Sequence, residues 1–83
     1  MSRATALSTH ERRVLREIQA RRPASCLTLA RQELGLTGKR LSAFLVTADR
    51  LWEDHGYLIP PTESETGRWE LTEAGVRALE VGS

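Results

Sequence analysis

The apolar positions of this chain fall into three helix-spaced stripes followed by a short alternating pair of segments. Val14, Leu15 and Ile18 share one helix face. Just ahead of them, Ser8-Thr9-His10-Glu11 forms a capping box, in which the Ser8 hydroxyl accepts from the Glu11 amide and the Glu11 carboxylate accepts from the Ser8 amide. Arg21 and Arg22 suit the carbonyl end of the helix dipole and Pro23 cannot extend it, which predicts a first helix over about 9–22. Cys26-Leu27-Thr28 steps from apolar to polar and predicts a brief strand or extended entry. Thr28 then caps a second helix of roughly two turns, which sets Leu29, Ala30 and Leu34 on one side and stops at Gly35, the residue best suited to a left-handed C-terminal cap.

The clearest stripe comes next. Leu41, Phe44, Leu45, Ala48, Leu51 and Trp52 keep the i, i+3, i+4, i+7 rhythm of a buried helix face, with Thr37 as N-cap and Gly56 as terminator. The opposite face collects Lys39, Ser42, Ala43, Val46 and Arg50, flanked by Arg40 and Thr47. Tyr57-Leu58-Ile59 and Arg68-Trp69-Glu70-Leu71 read as two strands of a hairpin around the turn-rich segment from Thr62 to Gly67. Alternation turns Trp69 and Leu71 inward and Arg68 and Glu70 outward. Thr72 caps a last helix, with Leu71 and Val76 placed as a hydrophobic staple and Leu79 continuing the apolar face.

These elements describe an α+β chain that is mostly α. Its 83 residues contain no Pro/Gly/Ser-rich linker, so one domain over 1–83 is expected, with an ordered core at about 8–80 and fraying at Met1 to Leu7 and Val81 to Ser83. The apolar share of 40% and charged share of 28% are those of a globular chain. No apolar run approaches the roughly 18 residues of a bilayer span and the N-terminus lacks a signal-peptide core, which predicts a cytoplasmic protein with no membrane partner. The net charge of +1 conceals a division, with residues 1–50 carrying +6 and residues 51–83 carrying −5. Such a chain can offer a basic face to phosphates and an acidic face elsewhere. Arginine abundance alone argues little, because a chain without Asn and with a single Lys has the signature of GC-rich codon bias.

The chemistry-bearing residues are sparse. Cys26 has no second cysteine to pair with and reads as a small buried apolar residue. His10 and His55 have no partners at metal-ligand spacing. Gly35 and Gly38 flank a turn without the pattern of a phosphate-cradling loop, and no nucleophile stands with a base. Neither an enzyme nor a metal or cofactor site is expected. Trp52 and Trp69 fall on inward faces and read as core rather than as stacking platforms.

In order along the chain, Leu34-Gly35-Leu36-Thr37, Arg50-Leu51, Gly56-Tyr57-Leu58-Ile59 and Leu71-Thr72-Glu73-Ala74-Gly75 resemble the winged helix-turn-helix superfamily, locally the multiple-antibiotic-resistance and phenolic-acid regulator types. The resemblance covers about residues 9–80. It implies a three-helix core, a β-hairpin wing and a short C-terminal helix, with the third helix in the major groove of double-stranded DNA. The segment from Thr37 to Gly56 is about one turn longer than in those regulators, and the long additional helices used for dimerisation or ligand binding are lacking.

The implied function is sequence-specific DNA binding by a small transcriptional regulator, a repressor or a phage or plasmid control protein, acting as a homodimer or as adjacent copies and associated with the nucleoid when bound. Lys39, Arg40, Ser42, Ala43, Val46, Thr47 and Arg50 are the candidate readers on the third helix. Arg12, Arg13, Arg16, Arg21, Arg22 and Arg31 are candidates for phosphate contacts outside the groove, and Arg68 for a contact from the base of the wing. Glu63 and Glu65 at the wing tip would be repelled by phosphates. The alternative is a winged-helix protein-interaction module, which addresses a basic partner through its acidic half or anchors one on Val46.

Overall fold

The computed structural model describes residues 7–81, so the fraying expected over 1–6 and 82–83 lies outside the described residues. It is mostly helical, with one small two-stranded sheet. Helix α1 spans Thr9–Arg21 and begins with the capping box, with Glu11 N to Ser8 Oγ at 3.1 Å and Ser8 N to Glu11 Oε1 at 2.9 Å. Leu7, expected to fray, packs against the core, and the last helix extends through Val81.

The segment from Cys26 to Thr28 departs from expectation. It is the first turn of helix α2, which is α-helical over Cys26–Thr28 and wound as a π-helix over Leu29–Glu33. The cap is Ser25, whose hydroxyl accepts from the Thr28 amide at 3.3 Å, so Thr28 lies inside the helix. Two serine and threonine positions three apart both satisfy cap chemistry, and burial chooses between them: starting at Ser25 brings Cys26, Leu29 and Ala30 to one buried side. The extended entry lies earlier in the chain, where the Pro23 carbonyl accepts from the Trp69 amide at 2.8 Å.

Gly35, at φ +68°, ends α2 by allowing the Leu36 amide to reach back six residues to the Ala30 carbonyl at 2.8 Å, one residue farther than the six-to-one bond of a Schellman cap. Helix α3 spans Gly38–Glu53 and closes in the same way at Gly56, with Tyr57 N to Leu51 O at 2.8 Å. Thr37 occupies the N-cap of α3, yet its hydroxyl makes no capping bond.

Strands β1, Leu58–Ile59, and β2, Glu70–Leu71, pair antiparallel with Leu58 opposite Leu71 and Ile59 opposite Glu70. Helix α4, Glu73–Val81, follows directly. Thr72 joins these parts. Its amide donates to the Tyr57 carbonyl at 3.0 Å, its hydroxyl donates to the Gly56 carbonyl at 2.8 Å, and the same hydroxyl accepts from the Gly75 amide at 3.1 Å. Gly75 is buried against Tyr57, and a Cβ there would stand 2.3 Å from the Tyr57 carbonyl oxygen, which explains the glycine at that position of the Leu71 to Gly75 motif.

The core is one cluster. Val14, Leu15 and Ile18 meet Leu29, Ala30, Phe44, Ala48 and Leu51, and Leu58, Trp69 and Leu79 close it from the hairpin and α4. Trp52 is half-buried and meets Trp69 edge to face, with ring centroids 5.9 Å apart and planes at 82°. No helix among the described residues is long and apolar enough to cross a membrane.

Candidate functional site

The buried stripe of α3 fixes its outward face. Phe44, Ala48 and Leu51 turn inward, and Lys39, Arg40, Ser42, Ala43, Val46 and Arg50 are exposed, with Thr47 partly so. Among the described residues Val46 is the most exposed large apolar side chain, at 55%. Lys39, Ala43, Val46 and Arg50 follow one another at i, i+4, i+7 and i+11, a single line along the helix. Asp49 and Glu53 lie along one edge of that line and Arg40 and Thr47 along the other, so the face is basic at its N-terminal end and mixed farther on.

The start of α3 is open in a particular sense. Gly38 has φ +57°, Thr37 supplies no side-chain cap, and no acidic residue stands in the first turn. The first-turn amides therefore have no capping side chain, and Lys39 and Arg40 sit beside them. Amides at a helix N-terminus and adjacent cations act on an anion together.

The remaining basic residues divide by what they already hold. Arg12 donates through Nη1 to the Leu79 carbonyl at 3.0 Å, which fastens α1 to the end of α4. Arg68 donates through Nη1 to the Arg22 carbonyl at 3.2 Å, beyond the C-terminus of α1. Its partner is thus a main-chain carbonyl rather than the nearby Glu70, whose carboxylate accepts from the Thr66 hydroxyl. Arg21 bridges Glu17 and Glu33, each at 2.8 Å, and these hydrogen bonds raise its pKa above the usual arginine value. By contrast, Arg13, Arg16, Arg31, Lys39, Arg40 and Arg50 are exposed and make neither an ion pair nor a side-chain hydrogen bond among the described residues.

A cleft of about 650 Å³ runs between α1 and the first half of α3, with the turn between α2 and α3 at its end. It brings Arg13 and Arg40, predicted separately from sequence, to one rim together with His10. The sequence carried a signal for it. His10, Arg13, Val14 and Glu17 share one side of α1, and Arg40, Ala43 and Phe44 share one side of α3, but only the fold shows that the two sides face each other.

His55 stacks on Tyr57 with centroids 5.2 Å apart, and its Nε2 lies 3.7 Å from Glu11 Oε2, which sets the end of α3 beside the start of α1. Cys26 is buried, and desolvation, with Asp49 adding repulsion, pushes its thiol up to about 12. A thiol held protonated in this way is a poor nucleophile. Among the described residues no group of three His, Cys, Asp or Glu side chains could hold a metal ion. No family model matches this chain, and no curated protein or solved structure matches it.

Proposed function

We propose that this chain is a winged helix-turn-helix domain that binds double-stranded DNA sequence-specifically as a small transcriptional regulator. The observation that carries this reading is the outward face of α3, where Lys39, Arg40 and Arg50 stand exposed and unpaired beside helix amides that lack a side-chain cap. In this reading α3 enters the major groove. Arg40 and Lys39 meet guanine edges or phosphates near the helix start, Ser42 and Thr47 add hydrogen bonds, and Ala43 and Val46 contact thymine methyls. Arg13, Arg31 and Arg50 supply phosphate contacts around that centre.

The hairpin plays the supporting part. Its tip carries Glu63 and Glu65, both exposed, and Arg68 is committed to the Arg22 carbonyl, so the wing holds the domain's shape and leaves the reading to α3. One helix reads few base pairs. Two copies, as a homodimer or side by side, would read half-sites about 34 Å apart.

Selection of bound sequences from a random duplex library, followed by fluorescence anisotropy on the enriched site, tests this reading. Arg40→Ala and Lys39→Ala should each weaken binding by roughly tenfold or more, and affinity should fall steeply with salt as phosphate counterions are released. Unchanged affinity in both variants removes α3 as the reader. A second reading, a protein-interaction module, is favoured by Val46, whose exposure suits an apolar anchor at the centre of the same face. No enriched sequence together with specific capture of a protein partner lost in Val46→Asp would establish that alternative.

A further inference from the structure

We propose that the cleft between α1 and the first half of α3 binds a small organic anion, with its apolar body on the apolar lining and its acid group held by Arg13 and Arg40 at the rim. The apolar lining comes from Val14 and Phe44, both core residues, and from the half-buried Leu34 and Leu36 of the turn between α2 and α3. At about 650 Å³ the space is within the range that encloses small ligands.

Charge selects the class of occupant. Arg13 and Arg40 are exposed, unpaired and carried by two different helices, and His10 adds a third donor. The one carboxylate in the lining, Glu17, is held by Arg21 Nε at 2.8 Å, so its charge is already met outside the cleft. An acid group entering the rim gains charge-assisted hydrogen bonds without displacing an internal partner. Inorganic phosphate would satisfy the arginines but leave the apolar lining wet, and a neutral hydrocarbon would cover that lining but desolvate the arginines without pairing them. An acid group joined to an apolar body answers both demands.

The site uses Arg13 and Arg40, which the DNA reading also uses, but it does not rest on that reading, and its test contains no DNA. The probe is 8-anilinonaphthalene-1-sulfonate, an aromatic body with one sulfonate, titrated into the folded protein while dye fluorescence and the methyl signals of Val14, Leu34 and Leu36 are followed. Saturable one-to-one binding is expected, with shifts concentrated on those methyls. The double variant Arg13→Gln/Arg40→Gln should weaken binding by roughly tenfold or more, since each lost contact is charge-assisted. Arg77→Gln, on α4 and outside the lining, should leave it unchanged, and circular dichroism should show both variants folded. Equal affinity in the double variant, shifts centred elsewhere, or dye uptake that does not saturate would overturn the assignment.

Discussion

Helices α1 to α3 supply Val14, Leu15, Ile18, Cys26, Leu29, Ala30, Phe44, Ala48 and Leu51 to the core, whereas the hairpin and α4 supply Leu58, Trp69 and Leu79. The rear of the molecule is also tied to the front by hydrogen bonds to main-chain carbonyls: Trp69 N to Pro23, Arg68 to Arg22 and Thr72 to Gly56 of the front, and Arg12 of α1 to Leu79 of the rear. Apolar burial is tolerant of direction, while a hydrogen bond fixes distance and angle. The helical front therefore supplies most of the hydrophobic stabilisation, and the rear gains its orientation from a few polar contacts and one close backbone approach.

The largest expected break in this contrast is Gly75→Ala. Its new methyl would meet the Tyr57 carbonyl oxygen at 2.3 Å, a main-chain atom that no side-chain rotation can move away. A loss of about 3 kcal/mol is expected, read as a lowered denaturant midpoint. A midpoint within a few tenths of wild type would mean that α4 is loosely seated and that the contrast is drawn in the wrong place. Thr72→Val is the next test, since it keeps the shape and removes a hydroxyl that both donates to Gly56 and accepts from Gly75. The expected loss is about 1 kcal/mol; a neutral result would assign the orientation of the rear to packing alone.

The smallest effect near neutral pH concerns Cys26, which reports on the front. The folded thiol titrates at about 12 against 9.0 for an ordinary cysteine, so the folded state holds this proton longer than the unfolded chain does. Its contribution to stability is complete below about pH 9 and is lost as the pH rises through about 12. Thiol-reagent kinetics at pH 8 should accordingly be slow in the native protein. In Gly75→Ala the same measurement separates two cases, because labelling stays slow if only the rear detaches and accelerates if the front opens with it.

Much of this arrangement was legible in the sequence, and the parts that were not share a physical reason. The capping box at Ser8, the stops at Gly35 and Gly56, the stripe of α3 and the cap at Thr72 depend on residues within a few positions of one another, so local pattern suffices. Local pattern sets the start of α2 about three residues late, because Ser25 and Thr28 are equivalent caps locally and burial of Cys26 separates them. The outward residues of α3 follow from its apolar stripe, with Thr47 at the edge only partly exposed. What Arg12 and Arg68 hold was not visible, since their acceptors at Leu79 and Arg22 lie 67 and 46 residues away in the chain. The cleft was hidden for the same reason: it is a relation between two helix faces, each of which looks like an ordinary solvated surface by itself.

The edge-to-face contact of Trp52 with Trp69 has an optical consequence. One indole belongs to the C-terminal half of α3 and the other to the hairpin, and no third tryptophan is present to obscure them. Two such chromophores in fixed, nearly perpendicular contact couple their transitions, and the coupling vanishes when they separate. The unlabelled protein thus carries a spectroscopic record of whether its hairpin is docked, which can be followed independently of whether its helices are folded.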